Sequence, residues 1–385
     1  MSSGSDPAVP VCAQQRGSAF SGLGALGPAP LLRKAPVKNL TGLRRVSVAA
    51  TSLAAVAALA LGSAFPAQAA GSDRGLFGTA DATYDGTYRQ SLGVLGLQAA
   101  GAKVPAAAIR WLTTQQCPDG SFVAYRADTS LPCPAADPDN FTGPDTNSTS
   151  LAAMALASVG QYKPATRAAR WLMSQQNGDG GWGYISGAPS DANSTGLVLA
   201  ALNESTDKGA AAEKRGLRYL RTLASDCATG AASLSYQTGQ APNPLASAQA
   251  LLGLNTGLPI QESPSRYTKA QRCDERLDQR VAQYLANELK ANGGILPSSL
   301  DATTKDYNTT AWAVIGLVGA NWPKSTYSTT VKALQQSAST YVGTGTDTSP
   351  AAAGTLALVA EYTGIPAKNF GGVNLVSTLL RSMQS

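Results

Sequence analysis

Three segments of the chain repeat one pattern of polar residues. They read DTNST, DANST and DYNTT, and each directly precedes a stretch rich in apolar and small residues. The aspartates that begin them are Asp145, Asp191 and Asp306, and the asparagines two residues later are Asn147, Asn193 and Asn308. A carboxyl beside an amide and hydroxyls can cap a helix, hold a polar ligand or, when protonated, act as an acid. The pattern therefore marks the candidate functional residues, whose role depends on the elements that position them.

Helix capping is the first interpretation of this pattern, because Asp, Asn, Ser and Thr are the preferred residues at a helix N-terminus. A ligand rim is the second interpretation: if the helix N-termini converge, their polar residues line one mouth. Asp347, before the last alanine-rich stretch, joins the three aspartates in this rim. The residues alone leave both interpretations open.

Six stretches rich in alanine, glycine and leucine predict six helices. They align on the leucines Leu97, Leu156, Leu202, Leu254, Leu317 and Leu358. In this alignment the place of Asp145 is also taken by Gly86, Asn243 and Asp347, and that of Asn147 by Tyr88, Leu245 and Ser349. A second, more highly charged helix follows each stretch, at about 104–116, 164–176, 208–224, 274–290, 326–341 and 371–383.

This alternation is typical of two concentric layers, with apolar helices inside and amphipathic helices outside. An open superhelix would use the same hairpins. We predict a closed ring instead, because six hairpins suffice to close one and neither end resembles a polar capping repeat. The predicted fold is therefore all-α.

The loops after the first two outer helices share one layout, RWLTTQQCPDGSF and RWLMSQQNGDGGW. The shared positions are Trp111, Gln116, Gly120 and Phe122 in the first loop, and Trp171, Gln176, Gly180 and Trp182 in the second. We expect the glutamine to satisfy carbonyls at the helix end and to meet the following turn. We expect the glycine to permit that turn and the second aromatic to cover the helix end. This layout resembles the QW motif of terpenoid cyclases and protein prenyltransferase β-subunits. The resemblance covers about 80–384 and implies an α/α toroid.

The same resemblance shows which chemistry this chain lacks. Cyclases of that family that protonate a polyprene use Asp-x-Asp-Asp-Thr at the start of an inner helix, and here Asn147 and Ser148 stand where the two later aspartates belong. The prenyltransferase β-subunits hold zinc with Asp, Cys and His, and this chain has no histidine. Aromatic residues make up only 6% of the chain, with Tyr88 and Trp312 the clearest on inner helices. So few aromatic residues do not fit a cavity that stabilises carbocations. We also predict that the protein binds no metal and no cofactor.

These absences favour a non-catalytic binding or structural module built on the toroid. Related toroids bind cobalamin in animal transport proteins, so the resemblance also leaves room for a ligand-carrying role. The predicted partner is a small molecule or cell-surface ligand of unknown identity. The alternative is a terpene-cyclase-like or prenyltransferase-like enzyme that acts on an isoprenoid.

The N-terminal region has the layout of a secretory signal peptide. Arg44 and Arg45 precede an almost continuously apolar or small stretch, 46–65, and Ala-Gln-Ala follows at 67–69. We predict cleavage between Ala69 and Ala70 and a secreted or cell-surface-associated protein. An uncleaved membrane anchor is the alternative, since about 20 residues can span a bilayer.

Removal of residues 1–69, the N-terminal extension and signal peptide, also removes most of the positive charge. Six of the 30 basic and one of the 24 acidic residues lie there, so 70–385 holds 24 basic and 23 acidic residues, a net charge of +1. This balance gives no case for nucleic acid or an anionic membrane surface as partner. We predict that 70–385 is a single toroid domain with no membrane span after cleavage.

Four cysteines remain after cleavage: Cys117, Cys133, Cys227 and Cys273. An even count in an exported chain favours disulfides. The pairs Cys117–Cys133 and Cys227–Cys273 would close a short and a longer loop, while free buried thiols are the alternative.

Overall fold

The computed structural model describes residues 73–203, 209–225, 230–255, 257–258, 276–299 and 301–385. The predicted signal peptide with its cleavage site at Ala69 and Ala70, and the predicted pair Cys227–Cys273, lie outside the described residues. Among those residues, no helix is both long and apolar enough to cross a bilayer.

Helices rich in alanine, glycine and leucine form an inner layer. They are α1 (Gly86–Ala99), α3 (Thr146–Ser158), α5 (Ala192–Asn203), α7 (Pro244–Leu254), α9 (Tyr307–Gly319) and α12 (Pro350–Tyr362). Their side chains are buried almost all round; in α5 every residue from Ser194 to Leu202 is buried. A helix that has no polar face must lie in the interior, so composition alone assigns these helices to the core.

Amphipathic helices form an outer layer. They are α2 (Ala106–Thr114), α4 (Tyr162–Ser174), α6 (Ala210–Thr222), α8 (Leu277–Ala291), α10 (Lys324–Gln336), which is followed by the short α11 (Ala338–Val342), and α13 (Leu375–Ser382). In α4, for example, Ala165, Ala168 and Leu172 are buried while Lys163 and Arg170 are exposed. These helices lie within a few residues of the predicted ranges.

The inner helices close into a ring. Each packs against the next in the order α1, α3, α5, α7, α9 and α12, and α12 packs against α1. Each outer helix packs against the inner helix that precedes it. The described helices therefore form an α/α toroid, which confirms the predicted fold and excludes the open superhelix.

Small residues allow the first and last inner helices to meet. A Cβ atom on Gly354 of α12 would lie 2.3 Å from the Leu92 carbonyl oxygen of α1, and one on Gly96 would lie 2.7 Å from the Gly354 carbonyl oxygen. Both contacts are with backbone, which cannot rotate away as a side chain can. The ring closes at this spacing because glycine occupies both positions.

Gln116 and Gln176 join consecutive outer helices. The Gln176 Nε2 donates to the Gly180 carbonyl at 2.7 Å and to the Ala212 carbonyl at the start of α6 at 2.8 Å, and its Oε1 accepts from Arg215. The expected contact of this glutamine with the following turn is confirmed, whereas the expectation that it satisfies carbonyls at the end of its own helix is wrong. It lies beyond the last turn, so its amide reaches its own loop and the next helix.

Gln116 makes the equivalent contacts one repeat earlier. Its Nε2 donates to the carbonyls of Gly120, at 3.0 Å, and Pro164, at 2.9 Å, and its Oε1 accepts from Arg167. Gly120 and Gly180 adopt φ angles of 100° and 93°, which favour glycine.

The aromatic residue that ends each of these loops is buried and attached to the ring. The Trp182 indole N–H donates to the Leu172 carbonyl at 2.7 Å, near the end of α4, and the Trp182 backbone N–H donates to Thr195 Oγ1 of α5 at 2.9 Å. The Phe122 backbone N–H donates to Thr149 Oγ1 of α3 at the same distance. The threonine that ends the repeated polar pattern therefore accepts a backbone hydrogen bond from the preceding loop.

Cys117 and Cys133 form a disulfide, as predicted, with Cα atoms 5.9 Å apart. Inside the loop that it closes, Arg126 donates to the carbonyls of Thr129 and Leu131. The disulfide and this arginine together order the loop.

Candidate binding site inside the ring

The three repeated aspartates cap inner helices. Asp145 Oδ1 accepts from the Ser148 N–H at 2.6 Å, and Asp191 Oδ1 accepts from the Ser194 N–H at 2.7 Å. Asp306 caps α9 in the same way, with the Thr309 N–H at 2.8 Å. All three aspartates are buried, so their carboxyls do not form an exposed rim.

Asp347 does not belong to this set. It is exposed in a short 3-10 turn, Gly345–Asp347, and Ser349 caps α12 by accepting from the Ala352 N–H at 3.2 Å. Pro350 fixes the start of this helix, because proline suits the first helical turn. The leucine alignment is therefore wrong by two residues in the last repeat.

Tyr88 of α1 reaches across the ring. Its hydroxyl lies near enough to Gln249 on α7 and Trp312 on α9 for both side chains to influence its acidity. Neither helix neighbours α1 in the ring, so these side chains must meet in its interior. Burial raises the pKa of Tyr88 to about 12, and the hydroxyl stays protonated at neutral pH.

Two of the repeated asparagines also contact this interior. Asn193 Nδ2 donates to Gln249 Oε1 at 3.0 Å, and Asn308 Oδ1 accepts from the Tyr341 hydroxyl at 3.4 Å. Asn147, at the equivalent position of α3, is half-buried. Asparagines therefore occupy the places from which a polar ligand could be contacted.

Loop tyrosines complete the interior, and sequence reasoning missed them. The Thr146 N–H donates to the Tyr184 carbonyl and the Ala192 N–H to the Tyr236 carbonyl, each at 2.9 Å, so the loops carry these tyrosines over the starts of α3 and α5. The sequence did contain a signal for them: Tyr184 lies two residues after the buried Trp182, and Tyr236 lies two residues after the buried Leu234. The interior is therefore more aromatic than Tyr88 and Trp312 alone predicted.

We refer to these residues as the interior cluster. It comprises Tyr88, Asp145, Tyr184, Asp191, Asn193, Tyr236, Gln249, Asn308, Trp312 and Tyr341.

The carboxyls of the interior cluster have strongly shifted acidities. Burial raises the pKa of Asp145 to about 7, against the opposing effect of the Ser148 N–H, and burial likewise raises the pKa of Asp191 to about 7. The Asp145 charge in turn raises the pKa of Tyr184, and burial with the Asp191 charge raises that of Tyr236. The side chains are thus electrostatically coupled through a poorly solvated interior.

Three polar atoms of the cluster are buried without a hydrogen-bond partner among the described residues: the acceptors Asp145 Oδ2 and Asn193 Oδ1, and the donor Trp312 Nε1. A buried polar atom left unpaired costs about 1–3 kcal/mol. Within the same described part of the chain, no group of three or more potential metal ligands comes together. The arrangement can accept hydrogen bonds from a small molecule and pack against it with tyrosine rings.

The fold and this cluster define an α/α toroid with a polar, aromatic interior. No protein-family model and no curated protein matches the chain. Among solved structures it is similar to a sugar epimerase from a ruminal bacterium, with 14% identity and a TM-score of 0.49 over 76% of this chain and 93% of that one. It is also similar to a type II terpene cyclase from Scytonema, with 13% identity and a TM-score of 0.46 over 75% and 92%. An alpha-amylase from Clostridium perfringens gives 10% identity and a TM-score of 0.47 over 72% and 86%. Similarity at this level carries no statement about ligand or reaction.

Proposed function

We propose that the protein is an exported binding module whose ring interior holds a small polar ligand without converting it. The observation that carries this proposal is the pair of buried acceptors, Asp145 Oδ2 and Asn193 Oδ1, which have no partner among the described residues. Tyr88, Gln249 and Trp312 bring side chains from three separate helices to the same interior. A ligand that donates to the two acceptors would remove the cost of leaving them unpaired.

The acidity of Asp145 argues against catalysis by alkene protonation. That reaction requires a strong carboxylic acid, tuned by neighbouring carboxyls. Burial raises the pKa of Asp145 to about 7 and so makes it a weaker acid. Asn147 and Ser148, where the cyclase pattern has aspartates, supply no second carboxyl.

Export is supported by two features. The chain carries the layout of a signal peptide before Ala70, and Cys117–Cys133 is a disulfide of the kind that persists in oxidising compartments. Mass mapping of the secreted protein is expected to give an N-terminus at Ala70 and a Cys117–Cys133 peptide. Alkylation of both cysteines without prior reduction, or a retained N-terminal segment, would contradict this part of the proposal.

An isoprenoid-converting enzyme is the second candidate, favoured by the position of Asp145, which matches the first aspartate of the cyclase pattern. Incubation of the purified protein with squalene or geranylgeranyl diphosphate, followed by gas chromatography, separates the two functions. The binding function predicts no cyclised product. A product that disappears in Asp145→Asn would establish the enzyme instead.

Native mass spectrometry of protein purified from its own host tests the binding function. The wild-type protein should carry a small molecule, and Asn193→Ala should lose most of it. Asn287→Ala is the matched control, because Asn287 is exposed on α8, away from the interior. Equal ligand loads in all three proteins, or none in any, would contradict interior binding.

A further inference from the structure

We infer that the ligand of the interior cluster is a neutral saccharide, whose hydroxyl groups donate to Asp145 Oδ2 and Asn193 Oδ1 while its C–H faces pack on the surrounding tyrosine rings. This inference rests on the proposed binding function and names the chemical class of its ligand.

The charges around the interior favour an uncharged ligand. The interior cluster contains no lysine or arginine, and the charges that shift the acidities of its tyrosines belong to carboxyls and to other tyrosines. Among the described residues of the cluster, an anion such as a diphosphate would therefore meet carboxyls and no cation. Desolvation of an unpaired anion is costly, so the cluster disfavours acidic ligands.

A cationic ligand is disfavoured for a separate reason. The inner helices of the described ring start beside this cluster, and each helix N-terminus carries about +0.5 charge. Asp145, Asp191 and Asp306 cap three of these ends and oppose that charge. Because the helix ends roughly balance the carboxyls, no strong net field remains to hold a cation.

The unpaired atoms specify the hydrogen bonding of the ligand. Asp145 Oδ2 and Asn193 Oδ1 are acceptors, and the Trp312 indole N–H is a donor, so the ligand must present at least two donors and one acceptor. An isoprenoid alcohol has one hydroxyl and would leave at least one acceptor unpaired. A saccharide carries several hydroxyls around a ring, and each can donate and accept, so it can satisfy all three atoms.

The aromatic side chains suit the other surface of a sugar. Tyr184, Tyr236 and Tyr341 are half-buried around the same interior as the fully buried Trp312. Tyrosine offers an apolar ring for contact with C–H groups and a hydroxyl that donates or accepts. These rings and the Gln249 amide together match a ligand with alternating apolar and hydroxyl surfaces.

A glycan array with neutral and acidic oligosaccharides, followed by titration of the best binder, tests the inference. The wild-type protein should bind neutral glycans and no acidic ones. At pH 8, where the Asp145 carboxyl is mostly ionised, Asp145→Asn should weaken binding about tenfold, since an amide still caps the helix but can place a donor where the sugar needs an acceptor. Asn193→Ala should weaken binding by a similar factor, and Asn287→Ala should leave it unchanged. Melting curves of all variants verify that each is folded.

Failure of the saccharide and failure of the binding function give different results. If no neutral glycan binds, or if the interior variants bind as well as wild type, the saccharide inference is overturned. A different molecule that co-purifies with the wild-type protein and is lost in Asn193→Ala would overturn the saccharide and leave the binding function standing. Absence of any interior ligand in both experiments would overturn the two together.

Discussion

Two features of the environment of Asp145 have opposite effects on the charge of its carboxyl. Its Oδ1 accepts the Ser148 N–H at a helix N-terminus, which favours the carboxylate, whereas burial favours the neutral acid. Burial dominates, because the pKa lies at about 7 instead of the usual 3.8. The cap is therefore partly protonated at neutral pH, unlike an exposed cap.

Asp145→Asn is expected to stabilise the protein in a pH-dependent way. Above about pH 4 the unfolded chain releases a proton that the folded chain keeps up to about pH 7, so wild-type stability falls across that window. Asparagine caps about as well and has no charge to bury. The variant should match wild type at pH 4 and exceed it at pH 8, by up to about 4 kcal/mol for a full shift of this size.

Urea unfolding at pH 4 and pH 8 measures this difference. Asp301→Asn supplies a control of opposite sign, because Asp301 is exposed and hydrogen bonds from Thr303 lower its pKa. That variant should lose stability at pH 8 relative to wild type. An Asp145→Asn effect that is the same at both pH values would rule out a buried, protonated cap.

Thr195→Val tests the last residue of the polar pattern. The Thr195 hydroxyl accepts from the buried backbone N–H of Trp182 at 2.9 Å. Valine has the same shape as threonine but offers no acceptor. The unpaired N–H should cost about 1–3 kcal/mol of unfolding free energy. Thr329→Val on the exposed face of α10 is the control, and equal stability of the two variants would contradict the assigned bond.

At the scale of elements, the loop that contains Gln176 connects the outer helices α4 and α6 through hydrogen bonds to both. Trp182 is fully buried, and its indole N–H bonds to the Leu172 carbonyl of the preceding outer helix. Trp182→Ala should cost about 3–5 kcal/mol, the usual range for deletion of a large buried aromatic. Trp182→Phe should cost less, since Phe122 fills the same place in the preceding loop. An unchanged melting temperature in the alanine variant would show that the ring is not packed there.

Local chemistry explains which elements could be predicted from sequence. The helix starts at Asp145, Asp191 and Asp306 follow from capping preferences, and the apolar inner helices follow from composition. The start of α12 was misplaced because its cap is Ser349 and the pattern there is degenerate. The spacing of the leucines alone did not reveal that shift.

The interior was only partly predictable for a different reason. Tyr88 and Trp312 lie on inner helices, so periodicity marks them. Tyr184 and Tyr236 lie in loops, and their positions depend on backbone hydrogen bonds to helices that precede them in the chain. The spacing after Trp182 and Leu234 marks these two tyrosines, but no local pattern predicts where their loops cross the ring.

At the scale of the whole molecule, the contact between α1 and α12 closes the ring. Gly354→Ala would place a methyl group 2.3 Å from the Leu92 carbonyl oxygen, so the two helices must separate. We expect a loss of about 1–3 kcal/mol, as for other overpacked sites. Gly178→Ala is the matched control, because a Cβ there meets nothing within 4 Å and should be neutral or slightly stabilising. Equal melting temperatures for the two variants would contradict a tightly closed ring.

The central claim is that the ring interior is a ligand site, and a crystal structure of protein purified from its own host tests it most directly. We expect density for a small molecule that donates hydrogen bonds to Asp145 Oδ2 and Asn193 Oδ1, beside Tyr88 and Trp312. It would be contradicted by an interior in which protein groups or ordered water satisfy both oxygens and no other density is present.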